Sequence, residues 1–500
     1  MGGLLSSDFW GAWRARAYML PLILAAVLTA LLLIRLPLLE AAVLLSVAAV
    51  VVAAFFEPLV GIGAALFAGP LRAWLSAELP HIPPQIGQYL FVLTVGLWAV
   101  RGLLRRDLRL PLPPLTFSLA LFLSVGLLSL WSAADPWAGF LELGKWAQLA
   151  LCFIITYERI ARPGVQQVTS ALLGLLAGVA VIQAGMGLWQ HFGYYEAAPD
   201  HFMIAAGRYR AYGTFEQPNP FGGFLGMMAA LLAGVVIVSA WDCWKARRWP
   251  SQWLWPLAGA LLVTGAGLYA SWSRGAWMGF GAALLVIAAL LPRRGLWGVI
   301  VVALVIVIGL GFYSAGRLPE AIAHRLTGFL DYTRFEDVRG VGINEANYAV
   351  IERMAHWQAA LEMWRENFWL GVGLGCYEPA YAAYSLINWP LGLGHAHNYY
   401  LTLLAETGLL GLVAYLGFLG ALGVQLWRAS RVLEGWPRAL ALGLGGAWTH
   451  FAVHDLVDNL LVNNVHLHVG VLLALTAWLI ALRRQQTTVA VSSAGLCARF

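Results

Sequence analysis

Across 500 residues the chain is 60% hydrophobic and only 11% charged, with a mean hydropathy of +0.73. Soluble domains carry roughly 25% charged and about 45–50% apolar residues, so composition excludes a soluble fold and indicates a polytopic membrane protein. The net charge of +6 would suggest nucleic acid in a soluble chain; here it follows from membrane topology, and no nucleic-acid partner is expected. The 24 tryptophans and 54 glycines fit interfacial aromatic belts and close helix packing. Cys152, Cys243, Cys376 and Cys497 have neither metal-ligand spacing nor the pattern of a disulfide framework.

Apolar stretches of about 17–25 residues can span a bilayer. In chain order they fall near 18–36, 38–56, 58–75, 84–104, 115–131, 137–157, 168–192, 219–240, 253–271, 275–291, 295–314, 397–427, 437–456 and 460–482. The expected fold is therefore all-α and polytopic, with about 12–14 transmembrane helices. Arg14 and Arg16 precede the first span without a clear cleavage site, so it reads as a retained helix. The expected division is residues 1–314 as N-terminal membrane helices, 315–396 as an extracytoplasmic loop, 397–482 as C-terminal helices and 483–500 as a disordered tail.

With the N-terminus in the cytoplasm and strict alternation, the basic clusters fall on one side. They include Arg101/Arg105/Arg106/Arg109, Lys245/Arg247/Arg248, Arg293/Arg294 and Arg483/Arg484, as the positive-inside rule requires. Both termini are then cytoplasmic. The opposite face receives "HFMIAAGRYRAYGTFEQPNPFGGF", "SWSRGAW" and the loop ending in "GHAHN". Arg208, Arg210 and Arg274 violate the rule at outer helix ends, and such residues are functional candidates by default. Within the loop, Val350, Met354, Trp357, Leu361 and Trp364 recur at helical spacing, with Glu352, Arg353, Glu362 and Arg365 off that stripe. This predicts an amphipathic helix, a lid over the membrane domain or an interfacial element. "LGVGLGC" has no preceding strand and no following ribose-binding acid, so it reads as a closely packed turn rather than a nucleotide site.

The combination of "RAYGTFEQPNPFGGFL", "SWSRGAWMGF" and "ENFWLGVGLGCY…HAHNYYLTLLAETGLLGL" resembles the O-antigen ligase and polymerase superfamily of bacterial envelope glycosyltransferases. The resemblance covers roughly residues 205–425. It implies an enzyme of the bacterial inner membrane acting at the extracytoplasmic face, with an undecaprenyl-diphosphate-linked glycan as donor. The implied acceptor is a hydroxyl of lipid A core or a protein for a ligase, or of another lipid-linked glycan for a polymerase. By the same resemblance Arg210 and Arg274 would hold the diphosphate and His397 would act on the acceptor hydroxyl.

The residue chemistry is compatible. Guanidinium groups match phosphate bidentately and stay charged, and in a poorly hydrated pocket they stabilise developing phosphate charge. A neutral imidazole suits proton acceptance from a sugar hydroxyl. Asn398 could orient that imidazole or the sugar. Arg208, His395 and Asn219 complete the candidate substrate contacts, His395 reading equally as a loop residue. The outer motifs are poor in carboxylates, so no metal or other cofactor is expected. Glu406 reads as structural. His450, His454 and Asp458 have zinc-like spacing but read better as a buried cluster or an auxiliary cavity wall; "HLH" at 466–468 has no clear role. A transporter or flippase for an anionic or lipid-linked substrate is the alternative, which inverted repeats would support; no convincing repeat is visible.

Overall fold

The computed structural model describes residues 37–72, 74–75, 85–162, 164–193, 202–205, 208–317, 337–344 and 347–497. The protein is an all-α polytopic membrane protein. Among the described residues eight helices are long and apolar enough to cross a membrane. The expected first span, 18–36, lies outside the described residues, and every other expected span finds a helix.

The chain divides into two compact units, Met1–Ala64 with Leu90–Leu108, and Ala65–Tyr89 with Arg109–Phe500. In the first, α1 (Leu38–Phe56) precedes α2 (Pro58–Ala68), and α3 (Ile86–Leu104) returns beside them. Gly61 lets α2 lie directly on Thr94 of α3, and the Arg101 guanidinium donates to the Phe56 carbonyl. Helix α2 is shorter than its apolar run because Pro70 follows Gly69 and cannot continue the helical ladder.

The second unit contains α4 (Thr116–Ser129), α5 (Pro136–Ile160), α6 (Val165–Phe192), the ribbon β1 (Met203–Ala205) and β2 (Arg208–Tyr209), α7 (Pro218–Lys245), α8 (Leu254–Ala270), α9 (Arg274–Leu290) and α10 (Gly295–Ser314). The segment between α10 and α13 supplies α11 (Tyr348–Glu366) and α12 (Tyr377–Tyr381), followed by α13 (Tyr399–Val432), α14 (Gly435–His454) and α15 (Val465–Cys497). Helix α15 continues past Arg484 to Cys497, because Gln485–Ala494 contains no glycine or proline and propagation from an existing helix needs no new nucleus.

Helix α7 is the axis of this unit, with 89% of its most apolar window buried. Glycines make that possible. Gly234 of α7 meets the backbone of Gly443 on α14, and Gly226 leaves just enough space for the His450 ring. Small residues allow this backbone approach between membrane helices, where dispersion and hydrogen bonds drive association. Aromatic side chains fill the other side of the unit: Phe122, Trp146 and Tyr415 from α4, α5 and α13 pack edge-on.

Helix α13 is broken at Gly408, whose backbone has φ 62° and ψ −166°. Unpaired peptide groups in hydrocarbon cost several kcal/mol each unless protein satisfies them. The segment 368–375 does so from both sides of the break. The N–H groups of Leu409 and Leu410 donate to the carbonyls of Phe368 and Trp369. Those of Val372 and Gly373 donate to Ala405 and Glu406. Gly371, Gly373 and Gly375 all have positive φ, so "LGVGLGC" is the closely packed turn its composition indicates. Glu406 is buried and accepts from the Tyr377 N–H at 3.1 Å, a structural role. Gly408→Ala should be costly, because its φ/ψ region is essentially glycine-only and a Cβ would overlap the Trp369 carbonyl. The expected loss is about 2–3 kcal/mol or more, read as a lower melting temperature and yield of detergent-solubilised protein; unchanged melting would remove the strain assigned here.

Candidate functional site

The ribbon and the segment after it carry Arg210. Its N–H donates to the Phe202 carbonyl, and the Ala211 N–H donates to the Ala270 carbonyl at the end of α8. Two glutamines on one face of α6 secure the next residues. Gln190 accepts from the N–H groups of Tyr212 and Gly213 and donates to the Gly213 carbonyl, and Gln183 donates to the Thr214 hydroxyl at 2.9 Å. A buried polar side chain in an apolar helix must be satisfied, so these glutamines fix the strand as firmly as a sheet would. The Arg210 guanidinium then donates to the Ser271 carbonyl (3.1 Å) and to Asn219 Oδ1 (2.9 Å).

Arg274 is the first residue of α9, after a turn in which Trp272 takes φ 53°. The turn is held by the Ser271 hydroxyl, which accepts from the Ser273 N–H, and by Trp277, whose indole N–H donates to the Leu268 carbonyl. Trp277 also stacks on Tyr269, with centroids 5.6 Å apart. The first residues of two helices, Asn219 of α7 and Ser273, Arg274 and Gly275 of α9, line one cavity of about 250 Å³ with Arg210. Both helices aim the positive ends of their dipoles at it, which favours an anion. His454 and Asp458 form part of its wall, and Val350, Arg353, Met354 and Trp357 of α11 cover it.

"GHAHN" lies beside this cavity. Gly394 and His397 have positive φ, 78° and 50°. The turn brings the His397 N–H to His395 Nδ1 at 2.9 Å, so the His395 proton is on Nε2, which stands 3.8 Å from Asp458 Oδ1. The His397 ring lies 4.7 Å from His395 and 5.6 Å from His356, centroid to centroid. Both of its nitrogens are buried without a hydrogen-bond partner among the described residues. Burial, and then the neighbouring His395, lower the His397 pKa to about 3. Burial lowers His356 to about 4. Burial would raise Asp458, but the surrounding histidines and Arg353 outweigh it and hold its pKa down. The free site thus contains neutral imidazoles beside a carboxylate.

The structure brings Arg210, Asn219, Arg274, His395 and His397 together but not two other sequence candidates. Arg208 is exposed on β2 and does not line the cavity. Asn398 is the N-cap of α13, its side-chain oxygen accepting from the Leu401 N–H at 3.1 Å. His450 is committed to packing: its Nε2–H donates to the Gly223 carbonyl at 2.8 Å, and its ring stacks on His454. His395, His397 and Asp458 have ligand atoms within 4.8 Å of one another and, among the described residues, could hold a metal ion.

Sequence reasoning missed Arg353 and His356. Arg353 is three residues after Val350 and four before Trp357, on the same helical face, so it belongs to the stripe from which it was set apart. The opposite face, with Ile351, Ala355, Ala359 and Met363, is the buried one.

The O-antigen ligase family model matches residues 258–416. That stretch includes Arg274, Arg353, His395 and His397 and excludes Arg210 and Asp458. No curated protein matches the chain. This match, over part of the chain, makes it similar to the O-antigen ligase family, and the chain is a multi-pass membrane protein.

Proposed function

We propose that the protein transfers a glycan from an undecaprenyl diphosphate carrier to an acceptor hydroxyl at the extracytoplasmic face of the bacterial inner membrane. The observation that carries this reading is the juxtaposition of an arginine-lined cavity under two helix N-termini with a neutral, buried His397. Arg210 and Arg274 bind the two phosphates. His397 accepts the proton of the acceptor hydroxyl as its oxygen attacks the anomeric carbon. The bond from that carbon to the phosphate oxygen breaks in line, with inversion, and the lipid diphosphate leaves with its charge on the arginines. A diphosphate is already a good leaving group, so no general acid is required. His395 and Asn219 are positioning residues, the first beside His397 and the second on the Arg210 guanidinium. The acceptor is a lipid A core sugar or another lipid-linked glycan, and surrounding lipids supply the route for the polyprenyl chain.

Arg210→Ala and Arg274→Ala should each lower transfer by roughly a hundredfold or more, as loss of a preorganised charged donor does, while membrane insertion and melting stay close to wild type. Lysine should rescue poorly, because a point charge does not reproduce the planar fork. Near-normal turnover by both alanine variants would remove the clamp.

His397→Ala should reduce turnover of bound donor far more than donor affinity, and His395→Ala should be milder. A collapse of donor binding with unchanged turnover would move His397 to the donor site.

Transfer should also proceed without a divalent metal. The arginines already supply positive charge around His395, His397 and Asp458, which disfavours a further cation there. Full activity after exhaustive EDTA treatment is expected; loss that zinc or magnesium restores would assign the histidine–aspartate cluster to a metal and overturn the mechanism.

A further inference from the structure

The end of the bundle opposite the arginine-lined cavity carries a larger accumulation of positive charge. Helices α7 and α9 both begin at that cavity, and α7 runs for 28 residues, so its far end lies roughly 40 Å away at about 1.5 Å per residue. There the turn between α7 and α8 forms a cavity of about 660 Å³ lined by Trp244, Lys245, Arg247, Arg248 and Trp249. Beside it, a cavity of about 580 Å³ lies between the ends of α7 and α9 and the starts of α10 and α14. Its lining includes Trp241, Lys245, Arg293, Arg294, Trp297 and Arg438. Lys245 belongs to both cavities, and the six basic side chains meet only two acids, Asp242 and Glu434.

Two of these charges have structural partners. Arg438 donates to the Ser430 and Leu291 carbonyls and stands 3.8 Å from Asp242, and Arg293 pairs with Glu434 at 3.0 Å. Among the described residues, Lys245, Arg247, Arg248 and Arg294 have no acid partner; Lys245 lies over the Trp241 ring, 5.1 Å from its centroid. The positive-inside rule asks for basic residues in each loop. It does not ask for two loops to be brought against each other, where like charges repel. Arg294 adds to the cost: it is the N-cap of α10, at the positive end of that helix's dipole, and no acid occupies the first turn. An anion in these cavities removes both penalties. Trp244, Trp249 and Trp297 are exposed, as side chains at headgroup level are. Only 6% of the most apolar window of α10 is buried in protein, so lipid reaches the second cavity.

We propose that this end of the bundle binds an anionic phospholipid with two phosphates joined by a glycerol, a cardiolipin, with one phosphate in each cavity and Lys245 between them. Basic pockets between membrane helices suit such headgroups. A lipid with one phosphate fills one cavity, whereas in the joined pair the second contact is intramolecular and adds affinity. The bound lipid ties the turn between α7 and α8 to the start of α10, a helix that protein contacts hold on little of its surface. The site shares no residue with the Arg210–Arg274 cavity, and its occupant is independent of the glycan donor.

The test is native mass spectrometry and thermal melting of the full-length protein in detergent, with cardiolipin, phosphatidylglycerol or phosphatidylethanolamine added at equal phosphate concentration. Wild-type protein should retain one cardiolipin at least about tenfold more tightly than phosphatidylglycerol. It should not retain phosphatidylethanolamine, and it should melt higher with cardiolipin bound. Arg247→Gln and Arg294→Gln, one from each cavity, should each weaken cardiolipin binding about fivefold, and the double variant about 30-fold. The control is Arg105→Gln with Arg106→Gln, from an exposed basic turn elsewhere in the chain; it removes the same charge and should bind cardiolipin normally. Equal retention of phosphatidylglycerol and cardiolipin would overturn the two-phosphate bridge. Wild-type affinity in both single variants, or an equal loss in the control, would overturn the site. Displacement of cardiolipin by inorganic diphosphate would assign the cavities to a soluble anion and overturn the lipid. Should the double variant insert poorly, the two single variants carry the same comparison.

Discussion

A broken helix in an apolar medium must find partners for its freed peptide groups, and in this protein the answer to that requirement shapes the second unit around the start of α13. The break at Gly408 requires a strand of backbone beside it. The segment 368–375 can approach only because three of its residues are glycines at positive φ. Once seated, it fixes the start of α12 through Glu406 and Tyr377. Helix α11, immediately before it in the chain, packs on α13 and on the Tyr377–Tyr381 turn. The lid is thus anchored by main-chain hydrogen bonds, and its cavity-facing side chains inherit that position.

The electrostatics of the site follow from a similar economy. Membrane helices that begin at a common point present unsatisfied N–H groups and positive dipole ends there. Helices α7 and α9 both begin at the cavity, and each contributes a polar residue in its first turn, Asn219 and Arg274. Burying imidazoles nearby keeps them neutral, so they add no repulsion between themselves and the arginines until a proton is delivered. Positive charge and neutral imidazole are therefore kept on different residue types by the same low-dielectric surroundings.

Much of this could be read from the residues, for physical reasons that also mark where reading stopped. Spans were legible because a bilayer imposes a length and an apolar content on any helix crossing it. Arg210 and Arg274 stood out because an arginine at an outer helix end is out of place by charge. Asn398 was ambiguous: asparagine before a helix is equally a cap and a ligand, and the Leu401 hydrogen bond shows the cap. Arg353 was hidden among the ordinary charges of an amphipathic helix, although its spacing from Val350 and Trp357 placed it on their face. Gln183 and Gln190 carried a signal of the same kind, two amides seven residues apart within an apolar run, but nothing local says which distant backbone they will meet.

Those two glutamines have a mechanical consequence. Segment 211–214 connects a surface ribbon to a membrane helix, a place where loops normally fluctuate on nanosecond to microsecond timescales. Here the amides of Tyr212, Gly213 and Thr214 are all accepted by side chains of α6, and that of Ala211 by the end of α8. Opening the segment means exposing Gln183 and Gln190 without partners inside the bundle, so its opening free energy is tied to that of the helices and not to a loop's. Amide hydrogens there should exchange with solvent at the slow rate of the membrane core. The residue next to them, Arg210, is in that sense a part of the bundle's rigid frame.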